Sequence, residues 1–142
     1  MGYVIFELVK LILIVIGSLI GALIGAIFLR AAAKWVAKLE VPFGTSYCTV
    51  FLSTLANGIL GYVLGIAVGT ATQSKEAVNV LQVFMVPVGF VLTAAIISRR
   101  IKVTFGRACL INLVMLALGI VIIGGVAVAV ILAMHLLNYK YL

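Results

Sequence analysis

Acid is nearly missing from this chain. Three Asp/Glu, all of them glutamates, stand among 142 residues, against ten Lys/Arg and a single histidine. Glu7, Glu40 and Glu76 lie far apart, so the paired carboxylates of general acid/base chemistry are not available. One histidine makes neither a metal site nor a bis-histidine haem site, and His135 reads as an interfacial residue. Cys48 and Cys109 form no Cys-x-x-Cys pair, which removes thiol redox and zinc-ribbon chemistry and leaves small packing residues. No phosphate-cradling loop and no nucleophile elbow occurs. Catalysis is not expected, and neither a cofactor nor a metal is implied.

Charge as a whole is scarce. Charged residues make up 9% of the chain and hydrophobic ones 66%, where an ordinary soluble domain has about 25% and about 45–50%. A soluble globule of this size cannot hide that much apolar surface, and disorder is excluded by the same numbers. The expected class is an all-α integral membrane protein.

What the chain does have is long apolar runs. A spanning helix needs about 20 apolar residues, and four segments qualify, at about 4–29, 47–71, 77–97 and 109–137. They take up the whole of 1–142 as a single membrane domain. The runs do not alternate, which argues against a β-barrel. Residues 1–6 carry no basic side chain and the first apolar run is too long for a signal peptide, so a retained first helix is expected. Glu7 and Lys10, three apart, can pair on its surface.

Seven of the ten basic residues fall in two loops: Arg30, Lys34 and Lys38 in the first, Arg99, Arg100, Lys102 and Arg107 in the third. The positive-inside rule puts these loops in the cytoplasm of a bacterial-type inner membrane and both termini outside. Arg30, Lys34 and Lys38 recur every four residues, so helix one is expected to continue as a basic stripe against anionic lipid headgroups or an acidic partner. Trp35 suits the inner interfacial belt, Tyr139 and Tyr141 the outer one. A basic patch held at a membrane, without a nucleic-acid fold motif, does not imply nucleic acid.

The chain also repeats. Val41-Pro42-Phe43-Gly44 returns as Val103-Thr104-Phe105-Gly106 at an offset of 62, which also pairs Phe28 with Phe90, Ala32 with Ala94, Ala33 with Ala95, and Lys38 with Arg100. Two parallel helix hairpins, 1–72 and 73–142, are the expected architecture of the four-helix bundle. Val41, Phe43, Gly44, Val103, Phe105 and Gly106 then form equivalent turns. The glycines supply backbone freedom there, and Thr45 and Ser46 can cap helix two.

Glycines fall at four-residue spacing as Gly17, Gly21 and Gly25 in segment one and as Gly61, Gly65 and Gly69 in segment two, with Gly58 before them; segment four has Gly119, Gly124 and Gly125. In lipid, small residues drive association by letting backbones approach. These faces serve either packing within the chain or assembly between chains. Polar residues inside the spans are few and therefore informative. Ser53 and Asn57 share one helix face, Asn79 and Gln82 another; Thr93 and Asn112 lie further in. Pro87 and Gly89 are expected to kink segment three.

Two functions fit. The first is a non-catalytic accessory or scaffolding subunit that assembles, with itself or within a larger membrane complex, through glycine faces and basic loops. The second is a small oligomeric channel or carrier for a neutral or anionic solute, with Ser53, Asn57, Asn79 and Gln82 along the pathway.

Overall fold

A computed structural model of the chain describes residues 1–139 and folds them into four long α-helices. They are α1 (Gly2–Ala37), α2 (Phe43–Thr72), α3 (Lys75–Ile101) and α4 (Phe105–Tyr139). Each is long and apolar enough to cross a bilayer. Each also runs past its apolar segment, because the flanking residues stay helical: α1 keeps Arg30 and Lys34 on its last turns, and α3 keeps Arg99 and Arg100. Lys140 and Tyr141 lie outside the described residues.

Consecutive helices are antiparallel neighbours, and α4 closes the ring onto α1; the diagonal pairs α1/α3 and α2/α4 do not meet. The core draws on Leu29, Ala32 and Ala33 from α1, Val41 from the first link, Val50 from α2, Ala94 and Ile97 from α3, and Ala108 and Ile111 from α4. These residues flank the α1–α2 and α3–α4 links, so both links sit at the same, tightly packed end. Towards the other end burial fades. From Leu113 to Tyr139 α4 buries no residue fully, and Ile120, Ile123 and Leu136 are each more than 70% exposed. In water that surface would drive aggregation. In hydrocarbon it costs nothing, so the exposure pattern is that of an integral membrane protein.

The helix ends have local causes. α3 starts at Ser74, whose hydroxyl accepts a hydrogen bond from the Ala77 N–H at 3.4 Å. Glu76 in its first turn and Arg99 and Arg100 in its last complement the helix dipole. α1, α2 and α3 end on residues in the left-handed conformation, Lys38 (φ 53°), Gln73 (φ 50°) and Lys102 (φ 58°). The Lys38 and Leu39 N–H groups both turn back to the Ala33 carbonyl. No glycine among the described residues has a positive φ. Gly44 and Gly106 are ordinary helical residues one position inside α2 and α4. Thr45 and Ser46 do not cap α2; Thr49 Oγ1 donates to the Thr45 carbonyl instead, and the buried Ser46 hydroxyl has no partner among the described residues. α3 runs unbroken through Pro87.

Candidate functional site

α1 buries a stripe of small residues, but not the glycine stripe. Ser18, Ala22 and Ala26 are at most 2% exposed, while Gly17 and Gly21, one position away and so about 100° round the helix, face outward. A Cβ added at Gly17 or Gly21 meets nothing within 4 Å. Gly25 is the member of that triplet that touches a neighbour, because a Cβ there would come within 2.5 Å of Val50 Cγ1 on α2. Gly58 answers from α2, its Cβ position 2.9 Å from Ile14 on α1. Two glycines therefore bring α1 and α2 together. Gly65, Gly119, Gly124 and Gly125 have open space at their Cβ positions, and Gly69 only grazes Val78 at 3.9 Å.

Asn57, Thr93 and Asn112, from three different helices, converge on the interior. Asn57 of α2 donates from Nδ2 to the Ser53 carbonyl at 2.8 Å and to Thr93 Oγ1 of α3 at 3.0 Å. Its Oδ1 is buried and has no hydrogen-bond partner among the described residues. Gly89 makes this approach possible, since a Cβ there would stand 2.8 Å from that oxygen. Asn112 of α4, 5% exposed, donates from Nδ2 to the Phe90 carbonyl at 3.1 Å. Beside these groups lies a cleft of about 430 Å³, lined by Asn57, Gln82, Met85, Phe90, Thr93 and Asn112 together with Gly61 and other apolar residues. It occupies space between the non-touching diagonal α2 and α4, with α3 as its wall. At 1.5 Å per residue, Asn57 lies about 21 Å along α2 from Phe43, near mid-bilayer.

Of the four residues expected along a polar pathway, Asn57 and Gln82 line this cleft. Ser53 lies next to it, its hydroxyl spent on the Val50 carbonyl. Asn79 is away from it, exposed beside Gln73 and Lys75 at the α2–α3 link. Thr93 and Asn112 are the members that helix spacing on one segment does not group with the others. They come from different helices, and only the packing of α3 against α2 and α4 brings them in.

At the packed end, the carbonyls of Val41 and Val103 are both held by a side chain of the preceding helix. Arg30 Nε donates to Val41 O at 3.0 Å, and Ser98 Oγ to Val103 O at 2.7 Å. Arg30 and Lys34 line a small hollow with Leu39 and Glu40. Lys34 and Glu40 approach to 3.9 Å, both largely exposed, so the contact contributes little. Arg99, Arg100, Lys102 and Arg107 are exposed around the α3–α4 link. At the opposite end Glu7 pairs with Lys10 at 3.0 Å and accepts a hydrogen bond from Tyr62 of α2. Phe43 and Phe105, the first residues of α2 and α4, are both exposed.

No protein-family model, no curated protein and no solved structure matches the chain.

Proposed function

We propose that this chain is a non-catalytic membrane subunit that assembles, with itself or within a larger membrane complex, through outward small-residue faces. The observation that carries this is the phase of α1: Ser18, Ala22 and Ala26 pack inside, and Gly17 and Gly21 are left on the outer surface. A lipid-facing helix gains nothing from glycine, which disfavours a helix by about 1 kcal/mol relative to alanine. It gains when a second backbone lies in the groove. Gly124 and Gly125 of α4, the other neighbour in the ring beside α2, are likewise exposed and open. Counted from the packed end, Gly21 and Gly124 lie at similar depths, about 24 and 28 Å.

The membrane orientation belongs to the same reading. Arg30, Lys34, Lys38, Arg99, Arg100, Lys102 and Arg107 flank the two links that share one end, and Lys10 and Lys75 lie towards the other. This favours the packed end in the cytoplasm of a bacterial-type inner membrane, against anionic headgroups. A duplicated hairpin is supported by details that recur at the offset of 62. Phe43 and Phe105 open α2 and α4; Ser46 N–H donates to Pro42 O at 3.0 Å and Ala108 N–H to Thr104 O at 2.9 Å. Thr49 and Ile111 are fully buried, as are Ala32 and Ala94. The first link is longer by Leu39 and Glu40, so the left-handed Lys38 and Lys102 fall out of that register.

Native mass spectrometry in mild detergent tests assembly. The wild-type chain is expected as a dimer or larger, or with a co-purifying membrane protein. Gly21→Leu, whose new side chain meets open space within the protomer, is expected to shift it to monomer with unchanged helical circular dichroism. A wild-type chain that is monomeric and alone contradicts the proposal, as does a Gly21→Leu variant that assembles normally.

A further inference from the structure

The hollow at the packed end carries charge that its surroundings only half neutralise. It lies between the last turns of α1 and the first link, lined by Arg30, Ala31, Lys34, Leu39, Glu40 and Val41. Arg30 Nε is tied to the Val41 carbonyl at 3.0 Å. That bond fixes the guanidinium, whose other N–H groups meet no carboxylate among the described residues. Lys34 stands one turn further on. Its carboxylate neighbour Glu40 is 3.9 Å away and 89% exposed, a loose contact that a better-placed anion displaces. Two cations and one carboxylate leave the hollow with one positive charge to spare.

Towards the bilayer the same face of α1 turns apolar. Ile20, Leu23, Ile27, Arg30 and Lys34 follow one another at steps of three and four, so they form a single stripe. Ile20, Leu23 and Ile27 are each at least 50% exposed. Ile20 lies about 15 Å from Arg30 along the axis, the depth of one leaflet in a hydrocarbon core about 30 Å thick. Trp35, next to Lys34 in the chain and 66% exposed, suits the interfacial level at which the hollow would lie.

We propose that this face of α1 holds one phospholipid of single negative charge, its phosphodiester in the hollow and an acyl chain along Ile27, Leu23 and Ile20. The inference rests on the reading that the packed end faces the inner leaflet, and not on self-association. Gly21, one position on from Ile20, lies about 100° round the helix and stays clear of the lipid. The class follows from shape and charge together. The hollow measures about 230 Å³, less than the about 300–1,000 Å³ of a site that encloses a whole small molecule. It takes a head group and leaves the rest of the ligand on the stripe. A fixed guanidinium meets phosphate through paired N–H···O bonds, and one surplus positive charge matches one phosphodiester. A zwitterionic head group would add a cation where one is already in excess.

The test is native mass spectrometry of the full-length chain in a non-ionic detergent. The probes are dioleoyl phosphatidylglycerol, dioleoyl phosphatidylcholine and glycerophosphoglycerol, the deacylated head group of the first. Phosphatidylglycerol is expected to saturate one site per chain, at least about tenfold more tightly than phosphatidylcholine. Glycerophosphoglycerol is expected to give no saturable adduct. Lys34→Gln, at an exposed position outside the core, is expected to weaken the phosphatidylglycerol adduct by about fivefold or more. Arg30→Gln is expected to weaken it further; Lys34→Gln decides the matter if Arg30→Gln, which also loses the bond to Val41, does not fold. Glu40→Gln is expected to tighten binding, because Lys34 no longer has a competing anion. Arg99→Gln removes the same charge at the α3–α4 link and is expected to change binding by less than about twofold. Equal affinity for the two lipids overturns the proposal. So does saturable binding of glycerophosphoglycerol as tight as the lipid's, which would make this a site for a free anion. Equal losses in Lys34→Gln and Arg99→Gln overturn the site while leaving the basic inner face standing. The oligomer mass in the same spectra reports on assembly separately.

Discussion

Gly25 and Gly89 sit where a methyl group does not fit. A Cβ at Gly25 would come within 2.5 Å of Val50 Cγ1, and one at Gly89 within 2.8 Å of Asn57 Oδ1. Neither neighbour can move aside cheaply. Val50 is β-branched, buried and stiff about χ1 within a helix, and the Asn57 carboxamide is pinned by its own two hydrogen bonds. Gly25→Ala and Gly89→Ala are therefore expected to destabilise by about 1–3 kcal/mol, the usual cost of overpacking. Gly44→Ala and Gly106→Ala meet nothing within 4 Å at helical positions and are expected to be neutral or to gain up to about 1 kcal/mol. Thermal unfolding in detergent, the four variants side by side, checks the ordering. Spacing in the sequence marks Gly17, Gly21 and Gly25 as equals. Their roles separate only in the fold, because a four-residue step advances about 40° round a helix. Gly25 thus turns onto α2 while Gly17 and Gly21 do not. Gly89 carries no spacing signal, and its role rests on the asparagine that packs against it.

Apolar length reads directly as helices at the scale of elements, since a run of some twenty apolar residues has one way to satisfy its backbone in lipid. That is why four helices are legible in this sequence. Their ends are less so. The glycines of the Val-x-Phe-Gly turns look like the natural sites for unusual backbone angles, yet the chain reverses on Lys38, Gln73 and Lys102, and the glycines lie inside helices. The turns are instead fixed by Arg30 and Ser98 reaching the carbonyls of Val41 and Val103, bonds across 11 and 5 residues that the sequence pattern does not announce. A non-glycine residue in the left-handed region costs about 1–2 kcal/mol. Gln73→Gly changes no charge and keeps the Gln73 N–H bond to Gly69 O. It is expected to stabilise the α2–α3 link by about 1 kcal/mol, read as a higher unfolding temperature. An unchanged or lower temperature would mean that the Gln73 side chain does something the fold does not account for.

At the scale of the whole molecule the bundle is uneven: sealed at the end that carries the basic links, open and apolar towards the other. Composition conveys the membrane, and charge counting conveys which links belong together. Neither reveals the diagonal gap between α2 and α4, because its polar lining is shared among three helices, with Asn57 on α2, Gln82 and Thr93 on α3 and Asn112 on α4. Nor does either tell which small residues face inward. Our proposal for the outward ones, Gly17 and Gly21, is that they receive another chain. Oxidative cross-linking in native membranes tests it most directly, using Gly21→Cys in a chain whose Cys48 and Cys109 are replaced by serine, with Ala26→Cys as the buried control. The account predicts a covalent dimer, or a discrete cross-link to one membrane partner, for Gly21→Cys and none for Ala26→Cys. A Gly21→Cys chain that stays monomeric under oxidation while its thiol reacts freely with a membrane-permeant reagent would contradict it.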